Sequence, residues 1–265
     1  MRYTATAMWR LDILRIDSSV FFIITLALFT IAALVGLWLR SWRKTQGEPE
    51  ERSVTTLLGA ALGLFGIMLG FTFYIANSRL EERRQLEVAE ASDLQALWLR
   101  TSFLSESARE TERFLIRQYL PVRIQFFQAG PGGPGYEQAL RQGAVLQARM
   151  WQVADDEVAG RHDSPAMQFL TTLSESIQAS EKRTAAFENR IPALSWVIML
   201  LLGMTACVLL AVDLKSRSYI LRGMLQVALA ASLALTYDID NPRRGFVQVS
   251  QESMLRVQNM INATP

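Results

Sequence analysis

Histidine and cysteine are nearly absent from this chain of 265 residues, which has one of each, His162 and Cys207. One histidine in a loop, Gly160-Arg161-His162-Asp163-Ser164, leaves no partner for a zinc or haem site and nearly excludes histidine-based acid–base work. Cys207 stands alone inside an apolar block, so there is no disulfide framework and no CxxC site; it reads as a small buried hydrophobe. Lysine is confined to Lys44, Lys182 and Lys215, and the net charge is +2. Without a dense basic run, no nucleic-acid partner is expected. No P-loop, GxGxxG, GxSxG, HExxH or EF-hand loop occurs, and no strand pattern or internal repeat. Asp155-Asp156-Glu157 reads as a solvated helix end rather than a metal site. The expectation is a protein that is not an enzyme, with no catalytic residue, no metal and no cofactor.

Apolar residues, in contrast, make up 50% of the chain and gather in four blocks. Val20 to Leu39 is followed by Arg40, Arg43 and Lys44. At about 1.5 Å per residue such a block reaches roughly 30 Å, the hydrocarbon thickness of a bilayer. Val54 to Ala76, Ile191 to Val212 and Tyr219 to Tyr237 are the other three. The fourth contains Arg222 and Gln226, and Arg222 lies near enough to its end to snorkel to the headgroups. No acid or base stands mid-span, so a proton relay lacks its usual residue. These blocks predict an all-α membrane protein with four transmembrane helices and a helical-bundle insert between the second and third. The divisions are an interfacial arm over 1–19 with Trp9, Ile13 and Ile16 at helical spacing, spans one and two over 20–76, the insert over 77–190, spans three and four over 191–237, and a C-terminal motif and short helix over 238–265. The short connection Asp213 to Ser218 makes spans three and four antiparallel neighbours. Even parity puts both termini and the insert on one side; basic residues are denser in the short connections, which leans those inside, but Arg79, Arg83, Arg84, Lys182, Arg183 and Arg190 crowd the other face too, so charge leaves the orientation open.

Within the insert, no breaker separates Thr72 from Leu104, which predicts that the second span continues as one long helix. Ser107-Ala-Arg-Glu110 has the form of a capping box, and Pro121 is expected to kink or shorten the helix it starts. Gly130-Pro-Gly-Gly-Pro-Gly135 is the strongest breaker, followed by a helix over Tyr136 to Val158. Ser164 and Pro165 read as N-cap and first turn of the next. That helix carries a stripe of Leu170, Leu173, Ile177, Ser180, Thr184, Phe187 and Ile191, continuing through Leu194, Ile198 and Leu201 with a bend at Pro192.

The second span has a pattern of its own. Gly59, Gly63, Gly66 and Gly70 recur at spacings that place them within roughly 60° of one another on a helix. Glycine weakens a helix, so four on one stripe call for a reason. One is close packing against another helix, in this chain or a second copy. The other is a narrow pore face, continued by Asn77 and Arg84 as a polar and then basic exit.

The stretch Gly70-Phe-Thr-Phe-Tyr-Ile-Ala-Asn-Ser-Arg79, with Arg83-Arg84, Glu90-Ala91 and Asp240-Asn-Pro242-Arg-Arg-Gly245 before a terminal helix from Val249-Ser250, resembles the bacterial bestrophin-like membrane family. The resemblance implies kinship to bestrophin anion channels, which are ring-shaped homo-oligomers, and places the insert in the cytoplasm. Asp238 and Asp240 beside Arg243 and Arg244 form a membrane-surface charge cluster, either ion pairs that fix the turn or a ligand site at a pore mouth. The resulting expectation is a homo-oligomeric, channel-like protein of a bacterial inner membrane, with the lipid bilayer, further copies of itself and an inorganic ion as partners. The alternative is a non-conducting sensor or scaffold whose insert binds a ligand or a protein.

Overall fold

The computed structural model describes residues 16–43, 51–130, 135–161, 163–213, 219–241 and 246–263. Among them the chain forms the helices α1 (Ser18–Arg43), α2 (Glu51–Arg100), α3 (Glu106–Ala129), α4 (Tyr136–Arg161), α5 (Ser164–Glu188), α6 (Ala193–Asp213), α7 (Tyr219–Asp240) and α8 (Glu252–Ala263), with a short 3-10 turn at Thr101–Phe103 and no strand. The arm around Trp9 and Ile13, the centre of the glycine–proline run, His162, the connection before α7, and Arg243 and Arg244 lie outside the described residues.

The helices form two compact units, one from residues up to Ser78 together with Arg190–Gln248, the other from Arg79–Asn189 together with the segment from Val249. The first holds the candidate spans: α1, α2, α6 and α7 include the four stretches long and apolar enough to cross a membrane. Their packing depends on two single glycines. A Cβ on Gly36 would lie 2.5 Å from the Val208 carbonyl oxygen, and one on Gly203 would lie 2.5 Å from the Phe29 ring, so α1 and α6 touch backbone to backbone at the first and backbone to side chain at the second. In lipid such close approach supplies the dispersion contact that holds helices together. Phe21 stacks on Tyr237 at 4.2 Å, and Trp196 meets both rings edge-on at 5.8 and 5.6 Å. The Tyr237 hydroxyl donates to the Ile16 carbonyl at 2.9 Å, so the buried ring is not left with an unmade hydrogen bond. Arg222 does not extend outward; it is buried on the packed face of α7, 5.8 Å from the Tyr219 ring.

The second unit is built from the later part of α2 with α3, α4, α5 and α8 around an apolar core that includes Leu97, Trp98, Ile116, Met150, Phe169 and Leu173. The continuous α2 follows the sequence reading, but three details of the insert differ from it. Helix α3 starts at Glu106, with Ser105 at its N-cap, so Ser107 is already helical. Ser105 is held instead by Glu157, whose carboxylate accepts its backbone N–H at 2.6 Å and its hydroxyl at 2.7 Å. Pro121 does not end α3, because Tyr119, Leu120, Arg123 and Ile124 are buried on either side of it, and tertiary packing outweighs one lost hydrogen bond. The N-cap of α5 is Asp163, which accepts the Ala166 N–H at 3.0 Å, and Ser164 and Pro165 form the first turn.

The stripe drawn along α5 and onward also divides. Leu173, Ser180, Phe187 and Ile191 are buried, but the helix stops at Glu188 and restarts at Ala193. Pro192 has no N–H and its ring clashes with the carbonyl four residues back, while Ile191 before it is pushed out of the helical region. The restart has a new phase: Leu194 and Leu201 are exposed, and α6 buries Trp196, Met199, Gly203, Ala206 and Cys207 instead.

Candidate functional site

In the first unit α2 buries Val54, Leu58, Phe65, Thr72 and Ala76. Their spacings of four and seven keep them on one side of the helix at about 100° per residue. The glycine stripe falls on the far side. A Cβ added to Gly59, Gly63, Gly66 or Gly70 would meet nothing within 4 Å. These glycines therefore do not serve packing inside the protomer, whereas Gly36 and Gly203 do. Beside them Ile67, Phe71 and Tyr74 are 59, 66 and 72% exposed. With Gly66 and Gly70 they line an open recess of about 540 Å³. Asn77 closes the stripe, with its side-chain amide turned back to donate to the Phe73 carbonyl at 3.1 Å.

The carboxylates after the fourth span are occupied by backbone. Asp238 accepts the N–H groups of Phe246 and Val247 at 3.0 and 2.9 Å. Asp240 accepts the Ile191 N–H at 3.2 Å with one oxygen and at 3.4 Å with the other. Both acids are buried. Among the described residues no cluster of three or more His, Cys, Asp or Glu side chains is placed to hold a metal ion.

The second unit contains charge that composition did not reveal, on one buried face of α2. Arg83 donates to the Ala186 and Asn189 carbonyls at 3.1 and 2.8 Å, at the C-terminal end of α5. Glu87 accepts the Met254 N–H at 3.1 Å, in the first turn of α8. Each charge suits its helix end, cation at the C-terminus and anion at the N-terminus. Glu90, fully buried, takes Arg123 at 2.5 Å and Arg183 at 2.7 Å. Burial alone would raise its pKa, but the two guanidiniums outweigh that and hold the carboxyl below its ordinary value. Arg123 also donates to the Ser180 carbonyl at 3.2 Å, and Arg183 to Gln251 at 2.6 Å. Their partners lie 33 and 93 positions away in sequence, so periodicity could not pair them. Glu90 stood out only as part of the family resemblance.

The family model of a Bestrophin-like domain matches residues 27–254. Among solved structures, a bacterial bestrophin homologue from Klebsiella pneumoniae is similar at 14% identity and a TM-score of 0.67, over 92% of this chain and 99% of that one. A point variant of the Klebsiella pneumoniae homologue is similar at 15% identity and 0.66, over 91 and 97%. At such identity the likeness is one of fold. Among the curated proteins, none matches the sequence.

Proposed function

Because this chain belongs to the Bestrophin-like family, we propose that it is a non-enzymatic, homo-oligomeric, ion-conducting protein of a bacterial inner membrane. In that assembly the face of α2 bearing Gly59, Gly63, Gly66, Gly70 and Asn77 turns toward the assembly axis. The observation that carries this reading is the bare stripe: four glycines on a membrane helix with nothing within 4 Å of where their side chains would be. A helix weakened by glycine gains nothing from them in the isolated protomer. They become useful when a second surface comes close, or when a narrow path needs room. One helix cannot enclose a path, so conduction along this face requires several copies around an axis. Asp238 and Asp240, each holding backbone N–H groups, serve in this reading to fix the chain where it leaves α7.

Oligomeric mass in lipid nanodiscs, paired with chloride, sodium and potassium flux into vesicles, tests this. A ring of several identical chains with flux through it is the expected outcome. Gly66→Leu should leave the protomer folded, since nothing inside it occupies that space, yet lower flux at least about tenfold or dissociate the ring. A stable monomer, or a Gly66→Leu ring that conducts as the parent does, overturns the reading.

A further inference from the structure

Among the described residues Glu112 is a buried acid with neither carboxyl oxygen partnered. It lies on the inner face of α3 with Ala108, Leu115, Ile116 and Tyr119, and is 0% exposed. An ionised carboxylate without a partner is among the most costly groups to bury, so the group in this place must be the neutral acid. Burial alone pushes its carboxyl up to about 8.

Charged side chains on the neighbouring elements make contacts with other groups. Arg100 of α2 donates to Thr172. Arg109, one turn before Glu112, reaches Glu106 and the Leu104 carbonyl. Arg113 and Arg117 lie over the Trp98 ring at 4.9 and 5.1 Å. Glu157 of α4 holds Ser105 and Arg161, and Arg256 of α8 reaches Ser253. On α5, Arg183 is committed to Glu90. Among the described residues no cation is bonded to Glu112, in contrast to Glu90 with its two arginines.

We propose that Glu112 is a proton-dependent latch of the helical insert, which is tight while this side chain carries its proton and opens more readily as the pH rises. The direction follows from linkage. In an opened state Glu112 meets water and loses its proton near its ordinary value of 4.5, whereas in the closed state it keeps the proton up to about 8. Between those values the closed state binds more protons, so opening becomes easier by up to about tenfold per pH unit, and the effect levels off above the upper value. Acidification thus tightens the insert, whether or not α2 lines a conduction route.

The experiment is amide hydrogen exchange on the full-length protein in lipid nanodiscs between pH 5 and 8, with opening constants for α3 corrected for the pH dependence of the exchange chemistry. The parent should show opening constants that rise steeply across this range, and Glu112→Gln, neutral throughout, should be flat. Equal slopes in the two proteins, or a flat parent, overturn the proposal. Should the glutamine variant fail to fold, the carboxyl carbon of Glu112 in the parent, assigned by its loss in Glu112→Leu, decides the matter. Titration near 8 supports the latch, and titration near 4.5 overturns it.

Discussion

The two parts of α2 solve different problems with different chemistry. Up to Ser78 the helix packs one face of Val54, Leu58, Phe65, Thr72 and Ala76 and leaves the glycine side bare. From Arg79 onward it buries Arg83, Glu87 and Glu90, and each finds a partner on another helix or at a helix end. A helix in lipid gains from close contact of small surfaces, because no water drives apolar groups together there. A helix in a bundle around its own apolar core can use fixed charges to select its neighbours, provided each is matched. The same helix therefore selects its neighbours in two ways, by small surfaces in one unit and by matched charges in the other.

The sharpest challenge to this contrast is Glu90. Glu90→Leu removes the one acid between Arg123 and Arg183 and leaves two guanidiniums buried without it. Loss of one partner from a buried ion pair typically costs about 3–5 kcal/mol. Chemical unfolding of the full-length protein should register that loss in the insert, and a loss below about 1 kcal/mol would mean that the arginines are solvated. The parent should show the same dependence on acid. Glu90 has a folded pKa below 4.5, so the stability it provides is full above that value and is lost as the pH falls through the folded one. Acid unfolding below pH 4.5 that is steeper in the parent than in Glu90→Gln would establish it.

A smaller effect separates the two kinds of glycine. Gly36→Ala forces a methyl group against the Val208 carbonyl oxygen and the Ala211 Cβ, at 2.5 and 2.8 Å. Overpacking of this kind costs about 1–3 kcal/mol. Lower thermal stability of the protomer in detergent should follow. Smallest of all, Gly63→Ala meets no atom within 4 Å in the protomer. It should stabilise the isolated protomer by up to about 1 kcal/mol through helix propensity alone. Destabilisation of the protomer by Gly63→Ala would place a hidden contact on the bare face.

These comparisons also mark how far the sequence could be read. Span positions were legible because bilayer thickness demands a run of about 20 apolar residues. The long α2 was legible because nothing in it breaks a helix. The glycine stripe was legible as a shared face, but periodicity says which residues lie together and not what they meet. Gly36 and Gly203 make the tight contacts, and each is a lone glycine with no pattern to announce it. The same holds for Glu90 and Glu112, which are one residue type in two similar helical settings. Only the positions of Arg123 and Arg183, distant in sequence, separate the matched acid from the unmatched one. The stripe along α5 failed beyond Ile191 because a heptad pattern carries no record of a change of helix phase, and Pro192 imposes one.

The contact between Glu87 and Met254 spans 167 positions of chain. Both intervening membrane helices, α6 and α7, must be synthesised before α8 emerges from the ribosome. Until then Met254, Val257 and Ile261, all buried in the finished unit, are missing from its core, and Glu87 has no helix end to hold. Completion of the insert therefore follows translation of the last two spans. A nascent chain that stalls among them carries an unfinished, apolar-edged bundle of the kind that quality-control factors bind.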